Sequence, residues 1–243
     1  MSIWGKLVGG FAGLAIGGPL GAVIGAVAGH AYDTAKAEKI TRNGDADERQ
    51  IAFTTAVIVL AAKMAKADGH VTRQEINAFK EIFHIPPNEI AGVGRIFGEA
   101  KTNATGYEPY AQQIAQFYKG NLNVLEEVIN VLFYIAESDG HVSVEEEKMI
   151  ENIAYIFGLT QAQYLSIKES RKTSDKQNPY MVLESSPNDN LQTIRKRYLK
   201  LSKEHHPDLL LSKGVPNEVI EESKKTMRSI NSAWDQIQKL KTN

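Results

Sequence analysis

Seven glycines, Gly5, Gly9, Gly13, Gly17, Gly21, Gly25 and Gly29, recur at every fourth position of an otherwise apolar N-terminal segment. In a water-exposed helix each would cost about 1 kcal/mol relative to alanine, so the stripe needs surroundings in which a missing side chain is useful. Leu7 to Gly29 carries no charge over 23 residues. As a helix it is roughly 35 Å long, enough for a hydrocarbon core of about 30 Å. In lipid the hydrophobic effect does not drive helices together, and small residues let backbones approach closely. Residues 1–32 therefore read as a membrane anchor whose glycine face packs helix on helix, against membrane lipid and in a homodimer. A single crossing is the preferred form. A hairpin folding back at Gly17-Gly18-Pro19 and a soluble glycine-packed element are the alternatives.

The remaining composition excludes several functions. A net charge of −1 gives no electrostatic case for nucleic acid as a partner. Without cysteine the chain has no disulfide, no cysteine-ligated zinc and no thiol nucleophile. No nucleophile–base pair or phosphate loop is recognisable, so the chain is not expected to be an enzyme.

Beyond the anchor, residues 33–47 form a charged linker and 48–171 a helical region, since no run alternates with period two long enough for a strand. Residues 172–177 are a second linker, and 178–241 a basic amphipathic unit. The fold class is all-α. Within the helical region AKADGHVTRQE and AESDGHVSVEE repeat 71 residues apart, each between apolar helical runs. That spacing suggests two similar helical hairpins in one bundle. Thr72 and Ser143 can N-cap the following helices, with Glu75 and Glu146 completing capping boxes. Asp68, Glu75, Asp139 and Glu146, near His70 and His141, are alternatively ligands for a divalent cation, although neither copy has the oxygen pattern of an EF-hand loop. On the two signatures, residues 48–171 resemble the TerB-like, tellurite-resistance-type helical domain, which implies an acidic metal site at such turns.

The C-terminal unit carries the sharpest motif. Leu191, Ile194, Tyr198 and Leu201 make one apolar face; Ile220, Met227, Ile230, Trp234 and Ile237 make another. Two such helices pack antiparallel, with His206-Pro207-Asp208 in the loop between them. Lys196, Lys200 and Lys203, flanked by Arg195 and Arg197, form a basic face suited to an acidic partner. Proline stiffens the loop, so the histidine and aspartate can project outward.

Tyr180, Leu183, RKRYLKLSKEHHPD and INSAW resemble the J domain of DnaJ-like co-chaperones. Leu209 and Glu184 depart from its pattern: a basic residue commonly follows the tripeptide, and glycine usually ends the first helix. The resemblance implies a DnaK-type heat-shock chaperone as partner, with His206, Pro207 and Asp208 stimulating its ATPase and the basic face docking it. The three regions together resemble the DjlA type of membrane-anchored co-chaperone. A cytoplasmic (inner) membrane location follows, with the J domain facing the cytoplasm, in keeping with Lys36, Lys39 and Arg42 after the anchor. A metal- or stress-responsive TerB-type protein with a vestigial J domain is the alternative.

Overall fold

The computed structural model describes residues 18–21, 46–67, 73–102, 106–172 and 176–242. Of the anchor glycines only Gly21 is among them; Gly5, Gly9, Gly13, Gly17, Gly25 and Gly29 lie outside, as do Asp68 and the side chain of Glu75. All regular structure in the described residues is helical. The first body comprises α1 (Ala46–Ala67), α2 (Arg73–Phe83), α3 (Ile90–Thr102), α4 (Glu108–Phe117), α5 (Leu122–Ala136), α6 (Val144–Ile156) and α7 (Gln161–Ser170). The second comprises α8 (Pro179–Val182), α9 (Leu191–Glu204), α10 (Pro207–Ser212) and α11 (Asn217–Thr242).

Two helices sit at the centre of the first body because long apolar runs cover most of their circumference. In α1 the consecutive residues Ala56 to Leu60 are fully buried, enclosed by α3, α4 and α5. In α5 every residue except Leu122 and Tyr134 is buried. These are the helices that precede the two Asp-Gly-His-Val segments.

The second of those segments turns through Gly140, at φ +90°, and Asp139 Oδ1 accepts the His141 N–H at 2.9 Å. Ser143 then caps α6 in a complete box. Its hydroxyl accepts the Glu146 N–H at 3.2 Å, and Glu146 accepts the Ser143 N–H at 2.8 Å. Thr160 and Gln163 build the same box at α7.

In the second body Asn190 caps α9 by accepting the Thr193 N–H. Helices α9 and α11 run antiparallel: Tyr198 stacks on Trp234 at 5.1 Å, while Lys241 donates to the carbonyls of Pro187 and Asp189 near the start of α9. Val182, Leu183, Ile194, Leu201, Ile230, Ala233, Trp234 and Ile237 form this body's own small core. One expectation changes. Ile220 does not continue the α11 stripe toward α9; with Leu210, Val215 and Val219 it is buried in the core of the first body.

Candidate functional site

Helix α9 delivers the basic face to the surface. Arg195, Lys196, Lys200 and Lys203 are exposed, and Lys200 lies 3.9 Å from Glu204. Arg197 differs, being half-buried and paired with Asp189 at 2.6 Å. The Ser186 N–H, aided by Arg197, holds the Asp189 carboxyl below the usual carboxylate range.

The tripeptide begins α10. His206 is the N-cap in extended conformation, and its Nδ1 accepts the Asp208 N–H at 3.2 Å. That bond requires the tautomer with its proton on Nε2. Pro207 occupies the first helical position, where no N–H is needed. The His206 and Asp208 side chains are 54% and 88% exposed. The loop thus offers a ring donor and a carboxylate acceptor from a rigid base, beside the α9 lysines.

The preceding residue behaves in the opposite way. His205 is buried, its Nε2 3.2 Å from Glu126 Oε2 and its Nδ1 3.2 Å from Glu127 Oε1, both on α5. Burial opposes the charged ring, but hydrogen bonds and charge from the two carboxylates outweigh it and push His205 up to about 10. The other carboxylate oxygens are also engaged. Gln163 donates to Glu126 Oε1 at 2.8 Å, and Ser223 of α11 donates to Glu127 Oε2 at 2.8 Å.

Asn123 grips both ends of the loop, donating to the Glu204 carbonyl at 2.8 Å and accepting from Lys213 at 2.9 Å. Gly214 closes the turn at φ +91°, where a Cβ would come within 2.2 Å of Arg49 Cβ. Only glycine meets both demands.

The sequence singled out His206, Pro207, Asp208 and the basic face, which the structure places on α9 and at the start of α10; it did not single out His205, Glu126, Glu127, Asn123 and Ser223, which the structure brings together behind them. A usable signal was present: two adjacent acids inside the apolar run LNVLEEVINVLFYIA, where a solvated charge has no place. Of the four candidate cation ligands, Asp139 and Glu146 serve the turn and the cap described above. Among the described residues no group of three or more His, Asp or Glu side chains is placed to hold a metal ion. No described helix is long and apolar enough to cross a membrane.

Three family patterns match the chain in order: the co-chaperone DjlA transmembrane domain over residues 1–42, tellurite resistance protein TerB over 54–169, and the DnaJ domain over 178–242. Relatives match along the whole chain. The co-chaperone protein DjlA of Photobacterium profundum is 27% identical over 98% of this chain and 99% of its own length. That of Escherichia coli K12 is 24% identical over 99% of both, and that of Legionella pneumophila 25% identical over 96% of this chain and 94% of its own length. No solved structure matches significantly.

Proposed function

Since the chain belongs to the DjlA type of J-domain co-chaperones, we propose that it stimulates the ATPase of a DnaK-type heat-shock chaperone through His206, Pro207 and Asp208. The transmembrane-domain match supports work at the inner membrane; the J domain faces the cytoplasm, where a chaperone and its ATP are met. The observation that carries the reading is the exposed His206–Asp208 pair at the start of α10, beside the exposed lysines of α9.

The two surfaces divide the work. Lys196, Lys200 and Lys203, with Arg195, attract an acidic partner and raise its rate of encounter. Arg197, tied to Asp189, braces the helix start and contributes less to docking. Once the partner is docked, the His206 Nε2–H donates and the Asp208 carboxylate accepts, at positions that Pro207 and the α10 cap keep stiff.

Single-turnover ATPase measurements with the full chain in lipid nanodiscs test this. His206→Gln abolishes stimulation and leaves the helical content intact, because the side chain is exposed. A variant as active as the parent overturns the proposal. Reversing Lys196 and Lys200 to glutamate slows association and flattens its salt dependence, as expected for charges screened over about 8 Å at physiological ionic strength. Association unchanged at low salt removes this face from the docking surface.

A further inference from the structure

We propose that the TerB-like body is a working part of the J-domain site: Glu126 and Glu127 of α5, gripping His205, fix where and in which direction the His206–Asp208 loop is presented. The functional readout of this inference rests on the ATPase stimulation proposed above.

Four observations carry it. The packing of the loop and of the first turn of α11 comes from outside their own domain, because Leu210 and Val215, with Val219 and Ile220 of α11, are buried in the core of the first body and not in that of the second. The loop is held at both ends, through Asn123 to the Glu204 carbonyl and to Lys213. The grip falls on His205, the immediate neighbour of the tripeptide, while His206 and Asp208 stay exposed. Finally, both ring nitrogens of His205 are engaged by different carboxylates, which are themselves hydrogen-bonded to Gln163 and Ser223.

A buried charged cluster is not the cheapest way to join two bodies; apolar residues of similar volume often do as well or better. What two-sided hydrogen bonding adds is direction, since the imidazole can satisfy both carboxylates in one orientation only. His205, Glu126 and Glu127 are accordingly positioning residues. They touch no partner, and act through the loop.

The chain has no cysteine, so Lys119→Cys and Gln192→Cys, at exposed positions on the two bodies, place a clean pair of spin labels in the full chain in nanodiscs. The parent gives one narrow distance distribution. His205→Leu broadens it and lowers the maximal stimulated ATPase rate roughly tenfold, within what a misplaced functional group costs. The chaperone concentration for half-maximal stimulation stays near the parent value, because the α9 lysines are untouched. His205→Leu combined with Glu126→Leu and Glu127→Leu leaves no unpaired charge and regains stability, but without the two-sided hydrogen bonds its distribution stays broad and its rate stays low. Should His205→Leu fail to fold, Asn123→Ala gives a smaller change in the same direction.

A parent-like distribution and rate in His205→Leu or, where that variant does not fold, in Asn123→Ala overturns the proposal. So does a triple variant that regains both the narrow distribution and the rate. His206→Gln separates the two readings: it keeps the narrow distribution, and if it also keeps full stimulation the co-chaperone mechanism fails while the distances still decide the positioning.

Discussion

Glu184 is held at φ +49°, a left-handed conformation that costs an L-residue with a Cβ about 1–2 kcal/mol. It stands where J domains usually carry glycine. Burial, reinforced by the charge of Glu126, pushes its carboxyl above the usual range. The folded state therefore holds this proton more tightly than the unfolded chain, and the group costs stability as pH rises past its unfolded value. Glu184→Gly is expected to stabilise the protein by about 1 kcal/mol, with an advantage that grows from acid toward neutral pH; urea titrations followed by circular dichroism at several pH values measure it. His205 has the opposite sign. Its folded pKa is raised from 6.5 to about 10, so its contribution is complete below 6.5 and is lost as pH rises through 10. Alkaline titration of the parent against the triple variant (His205→Leu, Glu126→Leu, Glu127→Leu) isolates that loss, and parallel curves would contradict it. Neither residue's environment was readable locally. Glu184 could be seen to depart from a family pattern, but its dihedral and its acidic neighbour come from the folded chain.

At the scale of elements, much was legible. The Ser143–Glu146 pair follows the capping-box spacing and forms the box. Asn121 also precedes a helix, α5, yet its backbone sits at φ −122° and ψ 57° and its side chain makes no cap bond. The sequence shows residue type and spacing but not the extended ψ that aims a side chain at the helix end. Ser143→Ala and Asn190→Ala should each lower stability by about 1 kcal/mol, whereas Asn121→Ala should cost little; thermal unfolding of the three variants compares them directly. The glycine stripe that most constrained the sequence reading lies almost entirely outside the described residues.

For the molecule as a whole, the order of domains was legible because each announces itself with a local motif. Their contact was not. Ile220 has the right spacing to extend the α11 stripe, and periodicity says which positions are apolar without saying which of two cores receives them. With α10 and the start of α11 sharing the first body's core, the two bodies should unfold in one calorimetric transition. Ile220→Ala should lower that whole transition by an amount equivalent to about 2–5 kcal/mol; two separate endotherms would contradict the shared core. The Tyr198–Trp234 stack has an optical consequence. The chain has two tryptophans, Trp4 and Trp234, and the second is almost fully shielded from water. In a Trp4→Phe chain all indole emission arises from Trp234, blue-shifted by its apolar surroundings and fed by energy absorbed at the stacked phenol. The protein then carries its own fluorophore for watching the α9–α11 pair loosen, with no dye attached.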